Sequence, residues 1–221
     1  MKKQVLIIVA FCVAVVFFIV LLPAISRAGG VVPLENIERP VWNIGDTWKY
    51  QVVSKDGSTV KKFVKTLTVK EKDAEGYLVF IESEVDRVFY RYSLNLNFVE
   101  AKDEKGTKLE NANPEIPTYQ WPISVKSKWW KKDYFFSEGL DSGNFSVTGE
   151  VTGAETLIDA EGKEIATIRV LEKRDNQWGR FYQRNHYWLN PSVKNCVKYI
   201  RERTRDRREE GNLISFTPGP K

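Results

Sequence analysis

The 221-residue chain holds one histidine, His186, and two cysteines, Cys12 and Cys196. His186 and Cys196 stand on either side of Pro191-Ser192. A hairpin turning there would bring an imidazole near a thiol, the pairing that activates a nucleophile for hydrolysis. Nothing else in the sequence supports a hydrolase. There is no Gly-x-Ser-x-Gly elbow, and the plain roles are a hydrogen-bonded strand histidine and a small buried thiol. Carboxylates are abundant but fall in turns and on polar strand faces. With no Cys/His cluster and no Gly-rich phosphate loop, neither a metal nor any other cofactor is expected.

Two other sets of residues suit binding rather than reaction. Between Lys198 and Arg208, period two places Arg201, Arg203, Arg205 and Arg207 on one strand face. Guanidinium groups spaced about 7 Å apart could grip phosphates or lipid headgroups. The alternative is an edge strand whose charge repels other strands, with Glu202, Asp206, Glu209 and Glu210 partly cancelling it. Seven tryptophans run from Trp42 to Trp188, in a chain that is 13% aromatic. They suit an apolar cavity for a lipid or acyl chain, or simply the filling of a concave sheet face. Trp48, Tyr50, Trp129 and Trp188 are the candidates for cavity lining. Arg201, Arg203 and Arg205 are the candidates for an anionic contact.

The elements that must position these residues read as strands. Trp48, Tyr50 and Val52 alternate with Lys49 and Gln51, and the same rhythm recurs over 59–70, 77–81 and 84–92. Turn signals such as Lys55-Asp56-Gly57-Ser58 and Asp73-Ala74-Glu75-Gly76 separate the runs. Pro114, Pro117 and Pro122 mark 109–122 as a loop. Strands resume over 127–136, 145–154, 164–172, 179–189 and 196–204. The expectation is an all-β domain: one antiparallel meander of about ten strands over 41–210, strongly curved or an open half-barrel. An extended linker at 29–40 precedes it, and a flexible tail at 211–221 follows.

Residues 1–28 give an address. Lys2 and Lys3 precede an apolar run from Val5 to Leu22, and Ser26-Arg27-Ala28 is a cleavage pattern. The run is either a cleaved signal or an N-terminal hydrophobic helix kept as a membrane anchor through residues 5–22. A lipid-modified cysteine is excluded, because Phe11 stands before Cys12 where a small residue is needed. The chain is therefore expected in the periplasm or cell envelope, secreted or anchored to the inner membrane. The whole-chain charge is +5. Lys2, Lys3 and Arg27 account for three of those charges with no acid among residues 1–28, so the remainder carries only +2. That near balance, with export, argues against a nucleic-acid partner. Cys196 is then the lone cysteine of an exported domain, which must stand without an intrachain disulfide.

Four phrases resemble secreted bacterial β modules of unknown function. Asn43-Ile44-Gly45-Asp46-Thr47-Trp48-Lys49-Tyr50 is similar to their hGDxWxY opening, and Leu94-Asn95-Leu96-Asn97-Phe98 to their middle hairpin. Trp121-Pro122-Ile123-Ser124-Val125-Lys126-Ser127-Lys128-Trp129 resembles their hPLxxGKxW step, with Lys126 where that step has Gly. Tyr187-Trp188-Leu189-Asn190-Pro191 through Cys196-Val197-Lys198-Tyr199 resembles their closing hairpin. Asp159-Ala160-Glu161-Gly162-Lys163 departs from their usual turn. The resemblance implies an envelope protein with a fold like the open half-barrels of lipoprotein carriers, and it transfers no catalytic residue. The combined expectation is a non-enzymatic exported protein that binds an apolar or lipid-like ligand, or an envelope protein partner, on a curved sheet. The alternative is a structural or assembly subunit of an envelope complex, tethered by an uncleaved helix.

Overall fold

The computed structural model describes residues 32–138, 141–159, 161–176, 182–203 and 206–220. The apolar run, the expected N-terminal helix, the cleavage pattern, Trp178 and Arg205 lie outside the described residues. Among those described, no helix is long and apolar enough to cross a membrane.

Alternation in sequence becomes alternation in burial. In β2 (Thr47–Asp56), Trp48, Tyr50 and Val52 are buried while Lys49 and Gln51 are exposed. In β11 (Glu164–Asn176), Ile168, Val170, Glu172 and Arg174 are the buried set. Such alternate residues share one sheet face. Ten further strands join them: β3 (Thr59–Lys72), β4 (Gly76–Glu82), β5 (Arg87–Ser93), β6 (Phe98–Asp103), β7 (Lys108–Ile116), β9 (Lys128–Glu138), β10 (Asp141–Ile158), β12 (Tyr182–Asn190), β13 (Asn195–Arg203) and β14 (Arg207–Thr217). These twelve form a closed barrel, in which β10 to β14 run in order, then β2 to β7, then β9 back onto β10. All the ladders are antiparallel. A small separate sheet pairs β1 (Asn36–Ile37) with β8 (Ile123–Ser124).

Closure corrects the expected open half-barrel or curved sheet, and β14 is its cause. Residues 211–217, expected in a flexible tail, continue β14, which pairs on one side with β13 from Arg203↔Arg207 to Lys198↔Asn212 and on the other with β2 from Arg207↔Asp56 to Thr217↔Thr47. A ladder shift between Leu213 and Ser215 breaks the alternation that would have marked the strand. Residues 109–116, expected in a loop, lie in β7. Proline is tolerated in a strand where no ladder bond is required. Pro114 meets that condition, because β6 pairs with Asn111 and Ile116 and skips the residues between. The β7–β9 ladder is short, from Glu110↔Glu138 to Asn113↔Phe135.

One end of the barrel is filled. Ile37, Trp42, Trp48, Leu96, Ile123 and Trp129 are all in its buried core. Four indole N–H groups donate to backbone carbonyls there: Trp42 to Lys194 (2.8 Å), Trp48 to Val193 (2.6 Å), Trp121 to Asn95 (2.8 Å) and Trp129 to Pro117 (2.7 Å). Asp46, fully buried, accepts from Asn43 N, Lys194 Nζ and Gly219 N at 2.8–2.9 Å, fastening the residues after β14 to the start of β2. Gly45 at φ +89° allows that approach: a Cβ there would lie 3.2 Å from Pro220. The described part of the expected linker, residues 32–40, is docked through Ile37, which is 3% exposed.

Candidate functional site

The β12–β13 hairpin carries most of the candidate residues, and its two faces separate them. Tyr187 pairs with Tyr199, and Asn185 with Arg201, on the inward face. Trp188 pairs with Lys198, and His186 with Ile200, on the outward face. Arg201 and Arg203 thus point into the barrel rather than out to solvent as a surface stripe or charged edge. Arg205 lies outside the described residues.

Inside, a cavity of about 160 Å³ is lined by Tyr50, Tyr90, Tyr92, Tyr119, Tyr187 and Tyr199 among others. It continues into a charged mouth of about 280 Å³. Lys65, Asp86, Tyr90, Glu110, Arg201, Arg203 and Glu209 line both spaces. Lys65 Nζ contacts Glu209 Oε1 at 2.6 Å, and Tyr199 Oη donates to the same oxygen at 2.8 Å. Burial opposes the charge on Glu209, but Lys65 and Arg201 outweigh it and hold the carboxyl down at about 2. Burial lowers the Lys65 ammonium, which Glu209 partly offsets. Burial also raises the cavity phenols: Tyr92 to about 12, and Tyr50, Tyr119 and Tyr199 well above their usual 10.0. A buried polar wall on β11 and β12 completes the interior. Arg174 Nε and Asn185 Nδ2 donate to Glu172 Oε1, and Gln183 Nε2 donates to Asn185 Oδ1 at 3.0 Å.

Of the four lining candidates, Tyr50 alone borders the cavity, donating to the Cys196 carbonyl at 2.8 Å. Trp48 and Trp129 face inward but belong to the filled end. Trp129 lies so close to Gly149 that a Cβ on that glycine would sit 1.9 Å from the indole. Trp188 corrects the expectation: it is on the outer face. Its ring is covered by Arg169 (4.8 Å) and Lys198 (5.5 Å), and its N–H donates to Glu155 at 2.7 Å. His186 belongs to the same outer cluster, with Nδ1 3.0 Å from Arg169 Nη2. Burial and then Arg169 lower its pKa, so the ring is neutral and accepts from the arginine. Cys196 faces the opposite way, its Sγ 3.6 Å from Tyr50 Oη, and burial pushes its thiol up to about 11. Imidazole and thiol therefore share a hairpin but not a face. No group of three metal-ligating side chains occurs among the described residues. The residues that the sequence left unmarked are Lys65, Glu209 and the tyrosines other than Tyr50.

No family model and no curated protein matches the chain. Solved structures resemble it at low identity. The hypothetical lipoprotein YmcC from Escherichia coli is 14% identical over 79% of this chain and 86% of its own, with a TM-score of 0.44. A protein of Bacteroides fragilis described as exported, with a YmcC-like fold, is 11% identical over 83% of this chain and 100% of its own (TM-score 0.41). A protein of Parabacteroides distasonis described as a lipoprotein is 9% identical over 83% and 100% (TM-score 0.39). These neighbours are uncharacterised bacterial β-rich proteins, the class that the four sequence phrases resemble. Overlays at these TM-scores bring nothing about activity to this chain.

Proposed function

We propose that the protein is an exported, non-enzymatic binding protein whose barrel takes up a small ligand with an apolar body. The tyrosine-lined cavity opening into the charged mouth carries this reading. At about 160 Å³ it is comparable to an apolar cavity of ~150 Å³ that holds benzene. The space suits one ring or a short chain rather than a full acyl tail. Tyrosine rings supply apolar faces, and their hydroxyls tolerate a polar edge. Export is supported by residues 1–28, with release into the periplasm or retention at the inner membrane through residues 5–22. The absence of catalysis is supported by the opposed faces of His186 and Cys196 and by a thiol whose pKa is raised.

Calorimetry with 4-ethylbenzyl alcohol tests the reading. Saturable binding to the wild type is expected, and its loss in Val88→Trp, which fills the cavity from β5, with the thermal midpoint kept. A wild type that binds no alcohol, or a filled variant that binds it equally, ends the proposal.

A second reading, assembly into an envelope complex, is favoured by Trp130 and Phe135 on β9, which are 65% and 43% exposed. Native mass spectrometry of the protein from its own envelope would then show a stoichiometric partner that Trp130→Ser releases.

A further inference from the structure

The mouth holds charges of both signs, and their hydrogen bonding separates them. Glu209 is already satisfied, with Lys65 at 2.6 Å and the Tyr199 hydroxyl at 2.8 Å on the same oxygen. Arg201 differs. It lines both the tyrosine cavity and the mouth, and its buried Nε has no hydrogen-bond partner among the described residues. The unmet group at the junction is thus a donor on a cation, which calls for an acceptor bearing negative charge. The mouth beyond leans the same way, though less steeply: Lys55, Lys65, Arg201, Arg203, Arg207 and Arg208 line it against Asp56, Asp86, Glu110 and Glu209. Arg201 is two residues from Tyr199 on the inward face of β13, so an anion there lies directly above the aromatic floor.

We propose that the ligand is an amphiphile with an anionic head, a carboxylate or phosphate monoester, received by Arg201 and Lys65 while its apolar body lies among the tyrosines. This rests on the binding reading above and names the ligand class for that site. Glu209 acts as the internal counter-ion. Its carboxylate offsets the burial cost of Lys65 and Arg201 while no ligand is bound. The same carboxylate competes with the head for Lys65. Removing its charge while keeping its shape therefore strengthens ligand binding.

Four probes sharing one apolar body decide the matter by calorimetry on the full-length protein: 4-ethylbenzoate, 4-ethylphenyl phosphate, 4-ethylbenzyl alcohol and 4-ethylbenzylammonium. The two anions are expected to bind at least about tenfold more tightly than the alcohol, the effect of one charge-assisted hydrogen bond, and the ammonium more weakly than the alcohol. Arg201→Gln should bring the anions to the alcohol's level. Glu209→Gln should widen the gap. Should Arg201→Gln fail to fold, the wild type still decides. Raising salt from about 0.05 M to about 0.5 M should weaken the anions and spare the alcohol. Equal binding of benzoate and alcohol, a preference for the ammonium, or no salt effect overturns the anionic head and leaves the apolar-body reading standing. Inorganic phosphate binding as tightly as the aryl phosphate overturns the shared site, since the body would then contribute nothing. Failure of every probe overturns both readings together.

Discussion

Lys126 has a backbone φ of +76°, in the left-handed region where a side chain crowds its own carbonyl. The sequence phrase around it resembles a step with glycine at this place, and the geometry explains why. Lys126 is exposed and its side chain has no partner among the described hydrogen bonds, so little is lost by removing it. Lys126→Gly is expected to raise stability by about 0.5–1 kcal/mol, read from the denaturant midpoint at unchanged slope. A fall would mean that the extra freedom of glycine in the unfolded chain outweighs the relief. Arg201 and Arg203 show how far residue spacing carries. Period two put them on one face, as found, but did not say which face was inside. The clue was Tyr199, which shares their parity and belongs with the aromatic set. Trp188 misled for the converse reason. A tryptophan reads as core, yet here the charged ends of Arg169 and Lys198 lie over its ring on the outer wall, a cation–π arrangement.

At the scale of elements, most hairpins were legible because a tight turn and a period-two run reinforce one another, as in β2–β3 around Lys55-Asp56-Gly57-Ser58. The failures have physical causes. β7 was hidden by Pro114, which signals a loop unless its missing N–H falls in a bulge. β14 was hidden by the irregularity between Leu213 and Ser215 and by the prolines beyond it. That strand is the seam between first and last hairpins, pairing β13 and β2 at once. A chain ending at Glu210 loses the bonds from Gly211 to Thr217 and the anchor of Gly219 on Asp46. It exposes the edge of β2 from Thr47 to Val52 and removes two of the pairs to β13. It is expected to show no cooperative thermal transition and to aggregate, where a dispensable tail would leave the melt unchanged. The candidate cavity was only partly foreseeable, because its walls come from β2 to β7 and from β11 to β14, and closure alone brings them together.

At the scale of the molecule, the interior makes stability depend on pH from both sides. Glu209 has a folded pKa of about 2 against its ordinary 4.5, so the unfolded chain binds the proton first as pH falls. Its contribution is complete above about 4.5 and is lost between about 4.5 and about 2. This amounts to a loss on the order of 3 kcal/mol that Glu209→Gln should remove from the acid limb of the stability curve. The tyrosines act at the other end. Their folded pKa values are raised, to about 12 for Tyr92, so the folded state holds protons that the unfolded chain releases near 10. Stability therefore falls as pH rises above 10. Tyrosinate absorbance is expected to appear late and abruptly, together with unfolding, rather than as a gradual titration. The ring itself is not uniformly strong. β10 and β11 share thirteen paired positions, whereas β7 and β9 share four. β7 also shares only four with β6, and a hoop parts first at the stave held weakly on both edges. Breathing of the wall concentrates at Glu110–Asn113, and a guest too wide for the rim has a sideways way in.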